Sequence, residues 1–378
     1  MNSIVTPYER GRAWVEIDLN ALAKNLADIR SKLPANCEIM AVVKADAYGH
    51  GITRVAERMI YEGIRTFAVA TVAEGVELRE IVTDETILVL GYTHQEDVYL
   101  LSEYKLTQLV VDGAYAGKLN DAGYELKVHI AIDTGMHRLG IEPSNFDEIE
   151  SIFCKSNLVV EGVATHLSSP DSFLEEDIDF TNKQMDKFAQ VVKSLIEKGY
   201  NVGKLHAQSS YGIYNYPEIQ CDYARPGIML YGVKSQNDTT KVKTELHPVL
   251  TLKAVIAQVR WIGAGESVSY SRTYTVDRPT KIATVSIGYA DGIPRQISGN
   301  GGNGLVSGHK VPIIGRVCMD MIILDVTGVE HVGAGDIVTL IGKDKDEQIR
   351  AEDVAEAAGT ITNDLLSGLS KRLPRIYI

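Results

Sequence analysis

Eight short apolar segments, each separated from the next by an amphipathic one, dominate the first two-thirds of the chain. In the intervening segments apolar residues recur at helical spacing, as at Val55, Met59 and Ile60. Strands that alternate with helices in this way are joined by crossovers and lie parallel in one sheet. The eight segments are IMAVV (39–43), TFAVA (66–70), ILVLG (87–91), QLVVD (108–112), KVHIAID (127–133), LVVEGVATH (158–166), GKLHA (203–207) and the stretch around YARPGIML (223–230).

This pattern predicts an α/β fold that begins with an N-terminal (β/α)8 TIM-like barrel, since eight such units over roughly 230 residues suit a closed barrel. A doubly wound sheet of eight strands is the alternative, and periodicity alone does not separate the two. After the polar run KSQNDTTKVKTE (234–245), β-like segments joined by Gly-rich turns predict a C-terminal mainly β domain. We therefore expect a barrel over 12–245 and a β domain over 246–378 that also includes 1–11.

Two local features of this plan are less determined. The early strand AWVEIDL (13–19) is compatible with either domain, although the boundary at residue 12 places it with the barrel. The Gly-rich run SGNGGNGLVSG (298–308) has neither a P-loop lysine nor GxGxxG spacing, so we expect a mobile loop between strands.

Composition narrows the class of partner. The net charge is −12 and the pI about 5.3, which disfavours binding to nucleic acid. No apolar run approaches the roughly 18 residues of a membrane span, and MNSIVTPYERGR lacks the apolar core of a secretory signal. The cysteines are scattered without metal-ligand spacing, so a reducing cytoplasm and no metal site are expected. They are Cys37, Cys154, Cys221 and Cys318.

Lys44 follows the first apolar segment directly, in IMAVVKADAYGHG (39–51). In a barrel the carboxyl ends of the strands open into the active-site mouth, so we expect this lysine there. Removal from water lowers the pKa of an amine and leaves it free to attack a carbonyl carbon. A lysine that extends from a strand end into solvent is the commoner case, and this segment alone leaves both interpretations open.

The segment AVVKADAYGHG resembles the pyridoxal 5'-phosphate (PLP) lysine motif of the alanine racemase family, and further segments resemble that family in the same order along the chain. They are AIDTGMHRLG (131–140), THLSSPD (165–171), RPGIMLYG (225–232), VSY (268–270), SIGYADGIPR (286–295) and RVCMDMIILD (316–325). The resemblance spans essentially the whole sequence. It implies a PLP-binding barrel followed by a β domain, and a head-to-tail homodimer whose active sites each use residues of both subunits.

The resemblance also implies a catalytic pair. Lys44 resembles the Schiff-base lysine that serves as acid and base on one face of the substrate, and Tyr270 resembles the opposite-face base from the partner subunit. Racemisation removes the Cα proton from one face and returns it to the other, so two groups must flank one carbon. A phenol has a pKa near 10 and becomes a plausible base only beside cationic groups or dipoles.

Arg225 resembles the residue that faces the pyridine nitrogen of PLP. Arginine can only donate, so the ring nitrogen stays unprotonated and the ring becomes a weaker electron sink than one paired with a carboxylate. The other residues that the resemblance assigns to cofactor binding are Tyr48, Arg138, His166, Ser210, Gly227 and Ile228. Those that it assigns to the substrate, a small amino acid, are Arg138, Tyr289, Met319, Asp320 and Asn363.

Two positions depart from the usual alanine racemase pattern. Ala131 stands where many members have a lysine that becomes a carbamate and supports the arginine matching Arg138. Asn363, in GTITNDLLSGL (359–369), stands where a tyrosine usually crowds the substrate side chain. The shorter amide leaves space beside Cβ and can bond a hydroxyl. This exchange resembles the racemase domain of membrane-bound serine racemases from vancomycin-resistance clusters.

We therefore expect a racemase that interconverts L- and D-serine, and also alanine, and supplies D-amino acids for peptidoglycan precursors, in a vancomycin-resistance setting. The location would be cytoplasmic, either alone or as the cytoplasmic domain of a membrane-bound protein. An ordinary alanine racemase is the first alternative. A barrel-type PLP decarboxylase is more distant, because it needs a carboxylate where Arg225 stands. A non-enzymatic PLP carrier would not need the second domain with Tyr270.

Overall fold

A computed structural model of the protein describes residues 10–378. Eight parallel strands, β2 to β9, pair in chain order and close into a barrel because β9 pairs with β2 through Glu38 and Tyr223. This closure confirms the predicted barrel and excludes the doubly wound sheet. The first nine strands are β1 (Ala13–Ile17), β2 (Glu38–Val42), β3 (Thr66–Val69), β4 (Thr86–Val89), β5 (Thr107–Val110), β6 (Leu126–Ala131), β7 (Leu158–Ala164), β8 (Lys204–Ser209) and β9 (Tyr223–Arg225).

The barrel strands are apolar on both faces because helices cover the outside while side chains fill the inside. All four residues of β3 and of β5 are buried. The helices of this part of the chain are α1 (Leu19–Lys32), α2 (Ile52–Tyr61), α3 (Val72–Arg79), α4 (Val98–Glu103), α5 (Gly113–Asp121), α6 (Phe146–Phe153), α7 (Glu175–Glu197) and α8 (Ser210–Asn215).

Helix α3 begins with a capping box, in which the Thr71 hydroxyl accepts from the Glu74 backbone N–H and the Glu74 carboxylate accepts from the Thr71 backbone N–H. The same carboxylate also accepts from the backbone N–H of Ala45, at 2.8 Å. The cap of one helix thereby fixes the chain just after Lys44.

The C-terminal domain is built on a nine-stranded sheet around the 13-residue strand β10. Its strands beyond β1 are β10 (Leu250–Ile262), β13 (Thr280–Val285), β14 (Asn303–Val306), β15 (His309–Pro312), β16 (Ile322–Asp325), β17 (Ile337–Asp344), β18 (Glu347–Ile349) and β19 (Arg375–Tyr377). A separate hairpin, β11 (Ser267–Val268) and β12 (Tyr274–Thr275), precedes β13, and the helices α9 (Ala351–Ala358) and α10 (Thr362–Ser367) lie between β18 and β19.

Two details of the sequence-based plan change. Strand β1, which the boundary at residue 12 placed with the barrel, pairs antiparallel with β10 and parallel with β19, so it belongs to the C-terminal sheet. The Gly-rich run 298–308 contains β14, which pairs with β15 and β17, so the mobile-loop interpretation is wrong for that part. The partners of β1 lie far along the chain, and β14 is joined to β15 by a tight turn. The local sequence pattern reveals neither pairing. The predicted β domain also included residues 1–11, of which 1–9 lie outside the described part of the chain.

Within residues 10–378, no helix has the length and apolar character needed to cross a membrane. The same part of the chain contains no group of three or more His, Cys, Asp or Glu side chains placed to hold a metal ion.

Gly232 lies where the barrel passes into the C-terminal domain, with φ +75°, and a Cβ at this position would overlap the His247 carbonyl oxygen. We expect Gly232→Ala to lower the free energy of unfolding by about 2 kcal/mol or more, from left-handed strain and the clash. Gly117→Ala is the matched control, since it lies in α5 with open space around it and should stabilise by up to about 1 kcal/mol. Urea unfolding measures the free energy of unfolding of both variants. Equal stability of Gly232→Ala and wild type would contradict the close approach of residue 232 to the His247 carbonyl.

Candidate active site at the mouth of the barrel

A cavity of about 510 Å³ opens at the carboxyl ends of the barrel strands. Most of the residues predicted for cofactor and substrate binding line it together, although they come from distant parts of the chain. These residues are Lys44, Tyr48, Arg138, His166, Ser210, Arg225, Gly227, Ile228 and Asn363.

Lys44 is followed by a left-handed helical turn over residues 45–48. All four residues have φ between 52° and 54°, and none is glycine. For L-residues this conformation costs about 1–2 kcal/mol each. It persists because surrounding groups hold it: Glu74 accepts from the Ala45 N–H, and Asp46 Oδ1 accepts from the Ile52 N–H at 2.8 Å. Strain of this kind is typical of functional sites.

The Lys44 amine lies partly buried at the cavity wall, and its pKa is lowered mainly by burial and further by the Arg138 guanidinium. The Glu74 carboxylate acts in the opposite direction, but burial dominates. A larger fraction of the amine is therefore unprotonated at neutral pH than for a lysine in water, as nucleophilic attack on a carbonyl requires.

Arg225 is buried and makes no salt bridge within the described residues. Its Nη1 donates to His206 Nδ1 at 2.6 Å, and its Nη2 donates to the Thr165 carbonyl at 2.7 Å and the Ala207 carbonyl at 3.1 Å. Burial lowers the pKa of Arg225 to about 10, so the guanidinium remains charged at neutral pH. The Nε–H and one Nη1–H of its fork have no partner in the described residues and remain available as donors.

Neutral histidines surround this guanidinium. Arg225 donates to His206 Nδ1, so the proton of His206 is on Nε2, which donates to His129 Nδ1 at 2.7 Å. Arg225 also donates to His166 Nδ1 at 3.0 Å. Burial lowers the pKa of His129 to about 4 and that of His166 to about 3. Because arginine can only donate, uncharged histidines are the acceptors that keep it in place.

Three residues of the site, His129, His206 and Glu74, were not predicted from the sequence. The two histidines lie inside the apolar segments KVHIAID and GKLHA. A polar ring in the middle of a buried strand was the signal that could have found them, because such a ring needs a partner. No sequence signal pointed to Glu74, since the capping motif explains this residue without its second contact, with the Ala45 N–H.

Tyr48, Ser210 and Gly227 form another part of the cavity lining. The Ser210 hydroxyl accepts from the backbone N–H of Gly227 at 2.9 Å. A Cβ on residue 227 would lie 2.6 Å from the Tyr48 hydroxyl oxygen, so only glycine lets this phenol approach the backbone. Two hydroxyls and nearby backbone N–H groups, together with a guanidinium in the same cavity lining, fit a ligand with a phosphate and a ring nitrogen.

Four predicted site residues do not line the cavity. Tyr270, Tyr289 and Met319 are 67%, 42% and 52% exposed, on loops of the C-terminal domain. Asp320 instead makes an ion pair with Arg372, at 2.7 Å. These loops are joined to one another, because the Tyr289 N–H donates to the Cys318 carbonyl and the Ser269 hydroxyl to the Arg316 carbonyl.

The two unusual positions both lie at the cavity. Ala131 ends β6, and the Arg138 side chain has no hydrogen bond or ion pair within the described residues. Asn363, at the start of α10, has a buried Oδ1 without a hydrogen-bond partner in that part of the chain. An unpaired buried amide oxygen is costly and accepts a donor from a ligand favourably.

The sequence models of the alanine racemase N-terminal domain and of the alanine racemase C-terminal domain match residues 17–235 and 249–377. The chain belongs to the alanine racemase family. An alanine racemase of Carboxydothermus hydrogenoformans is 40% identical over 369 residues, which are 97% of this chain and 99% of that protein. An alanine racemase structure from Bartonella henselae with covalently bound pyridoxal phosphate has a TM-score of 0.86 and 31% identity, and covers 97% of this chain and all of that one.

Some relatives are longer than this chain. An amino-acid racemase of Enterococcus faecalis is 43% identical over 363 residues, which are 96% of this chain and 51% of that protein. The chain thus spans about half the length of this relative. The family explains the pairing of a barrel with a β domain, and it is a family of PLP-dependent isomerases.

The charges around Lys44 give a test of its electrostatics. Removing the positive charge of Arg138 (Arg138→Gln) should raise the pKa of Lys44, and removing the negative charge of Glu74 (Glu74→Gln) should lower it further. The rate at which an amine-selective reagent modifies Lys44, followed by peptide mass spectrometry across pH, reports this pKa.

Glu77→Gln is the control for this test, because Glu77 is exposed on the same helix as Glu74. It should leave the pH profile of Lys44 unchanged. Shifts of the same sign in the Arg138 and Glu74 variants would contradict the electrostatic account.

Proposed function

We propose that the chain is a PLP-dependent amino-acid racemase that acts on alanine, as the names of its relatives indicate for those proteins. The observation that supports this most is the placement of Lys44. Its amine has a lowered pKa and shares one cavity with Arg225, a buried cation without a carboxylate partner in the described residues. This is the arrangement that an amine needs in order to attack an aldehyde, beside a group that can only donate to a ring nitrogen.

Lys44 would hold PLP covalently. Tyr48 and Ser210 would supply hydroxyls for the phosphate and Ile228 a backbone N–H, while the Gly227 N–H, which donates to the Ser210 hydroxyl, would have to turn to the phosphate; Arg225 would donate to the ring nitrogen. PLP supplies electron withdrawal from Cα of the bound amino acid, which makes the Cα proton acidic. The protein supplies the position of the amine and of the groups that take and return the proton.

Arg225 makes racemisation a better expectation than decarboxylation. The guanidinium lies among neutral acceptors, and no carboxylate accompanies it in the described residues. A ring nitrogen that accepts from this cation carries no proton of its own, so electron withdrawal is weaker than with a carboxylate partner. Weaker withdrawal favours prompt return of the proton to Cα over side reactions.

We propose that Tyr270 is the second base and that it acts in the site of a partner subunit. Lys44 is on one wall of the cavity, while Tyr270 is exposed and away from it in its own chain. Tyr289, Met319 and Met321 are also exposed, on loops joined to each other by hydrogen bonds. Exposed apolar residues grouped in this way are typical of an interface, and a homodimer would cover them.

Serine is a second candidate substrate, and Asn363 is the observation that favours it. Asn363 lines the cavity and its Oδ1 is buried without a partner in the described residues, so a turn of the amide toward the cavity would let Oδ1 accept from the hydroxyl of serine. One such hydrogen bond is worth about 0.5–1.5 kcal/mol, so alanine would remain a substrate. The supply of D-amino acids for peptidoglycan precursors and the vancomycin-resistance setting rest on the resemblance alone and stay predictions.

Lys44→Ala and Tyr270→Phe test the shared site. Each variant should lose racemisation of L-alanine, but Tyr270→Phe should keep its covalently bound PLP, since Lys44 and the cavity residues proposed to hold the cofactor are unchanged. Mixing the two inactive variants should restore activity, because one site of a mixed dimer has Lys44 from one subunit and Tyr270 from the other. Circular dichroism at a fixed wavelength follows the loss of optical activity.

Activity that stays absent in the mixture, although mixed dimers form, would contradict the shared site. A monomeric wild-type protein with full activity would contradict it as well. A PLP-loaded wild type that racemises neither alanine nor serine would overturn the proposed function.

Asn363→Tyr tests the substrate side chain. The ring would fill the space beside Cβ and remove the amide acceptor, so the ratio of kcat/KM for serine to kcat/KM for alanine should fall by about two- to tenfold. Asn363→Leu is the matched control, because it has a similar volume without the amide. It should lower the same ratio without crowding alanine. An unchanged ratio in both variants would leave this protein an alanine racemase in which Asn363 does not select the substrate.

A further inference from the structure

His50 belongs to the motif that follows Lys44, yet its side chain is absent from the cavity lining. It is fully buried at the end of the left-handed turn. Its Nδ1 lies 3.0 Å from the Ala47 carbonyl oxygen and 2.9 Å from the Tyr48 carbonyl oxygen. The ring therefore contacts the backbone of two of the four residues that have left-handed conformation.

These contacts determine the protonation of the ring. Both partners of Nδ1 are carbonyl oxygens, which only accept, so Nδ1 must carry a proton. Nε2 is buried and has no partner in the described part of the chain. Burial lowers the pKa of His50 to about 4, so the ring is neutral and Nε2 has no proton at neutral pH. His50 thus exists as one tautomer with a single donor, which two strained carbonyls share.

The strand before Lys44 is tied to the same ring. His50 stacks on Tyr231, with ring centroids 4.5 Å apart, and the Tyr231 hydroxyl donates to the Val42 carbonyl at 2.9 Å. Val42 is the last residue of β2. The pair of rings therefore holds the backbone on both sides of Lys44, at the strand end and at the turn.

The C-terminal domain supports the rest of the turn. Arg375 Nε donates to the Gly49 carbonyl at 3.2 Å, and the Tyr377 hydroxyl donates to the His50 carbonyl at 3.3 Å. A left-handed turn cannot continue as a helix, so its last carbonyls need donors from elsewhere. Here the His50 ring donates to the Tyr48 carbonyl and, together with the His50 backbone N–H, to the Ala47 carbonyl, and β19 supplies the donors for the next two residues.

We propose that His50 is a positioning residue, whose single Nδ1–H donor holds the left-handed turn and thereby holds the Lys44 amine in the cavity. The inference rests on the proposed function of Lys44, although His50 itself does not contact substrate or cofactor. Loss of the ring donor leaves the Tyr48 carbonyl without it and leaves the Ala47 carbonyl with only the His50 backbone N–H, at 3.2 Å, and the turn relaxes toward an ordinary conformation. Lys44 and the Tyr48 hydroxyl then leave their positions together.

Three variants of the full-length, PLP-loaded protein test this role. In His50→Asn the amide nitrogen occupies the place of Nδ1 and keeps the donor. In His50→Gln the amide lies at the place of Nε2, and His50→Leu keeps apolar volume without a donor. The measurements are the rate of PLP release on dialysis, the pH at which the visible absorption of the PLP–lysine linkage changes, kcat and KM for L-alanine, and the thermal unfolding midpoint.

We expect His50→Asn to stay close to wild type in PLP release and in the pH of the absorption change. His50→Gln and His50→Leu should release PLP about tenfold faster, with a shifted absorption profile and a lower kcat at nearly constant KM. A packing role predicts the reverse order, in which Leu is tolerated best and Asn is the most damaging. That order, or equal behaviour of Asn and Gln, would overturn the proposal.

The comparison of Asn with Gln decides the matter even when the Leu variant does not fold, because both are amides that differ by one methylene. Failure of the proposed function is distinguishable from failure of this inference. A wild type that forms no PLP–lysine linkage contradicts the function, whereas a wild type that forms it while Asn and Gln variants behave alike contradicts only the role of His50.

Discussion

The buried guanidinium of Arg225 has no carboxylate partner in the described residues, and the architecture of the barrel mouth follows from this constraint. A cation removed from water needs acceptors, and here they are backbone carbonyls and two neutral imidazoles. Burial and the same cationic surroundings keep these histidines unprotonated. The cavity therefore has a positive field and few proton carriers, which suits an anionic cofactor whose ring nitrogen must accept a hydrogen bond.

The position of Lys44 depends on a different constraint, the strained turn that follows it. Four left-handed residues without glycine are unfavourable by themselves, and they persist because groups from both domains hold them. Glu74 comes from α3 of the barrel, while Arg375 comes from β19 of the C-terminal sheet. At Gly49 a Cβ would overlap the Leu366 carbonyl oxygen, so the two domains meet at this turn. The C-terminal domain thus contributes to the geometry around Lys44 within its own chain.

The barrel could be predicted from the sequence because eight apolar strands with amphipathic helices between them leave few alternatives. The cavity residues that belong to a recognisable motif, such as Lys44 and Arg225, could be predicted as well. His129, His206 and Glu74 could not, since their importance comes from contacts with residues far along the chain. Strand β1 was placed with the barrel because the sequence of a single strand does not indicate which sheet the strand joins.

The sequence by itself determined the alternation of strands and helices, the change to a β domain after residue 245, and the chemistry available at each motif. These are local properties, set by periodicity and residue type. Only the tertiary structure decided that the barrel closes, that β1 joins the C-terminal sheet, and that the Lys44 turn is left-handed. It also decided the protonation of His50 and His206. The physical reason is that strand pairing, backbone strain and the pKa of a buried group depend on neighbours that the fold, and not the chain order, brings together.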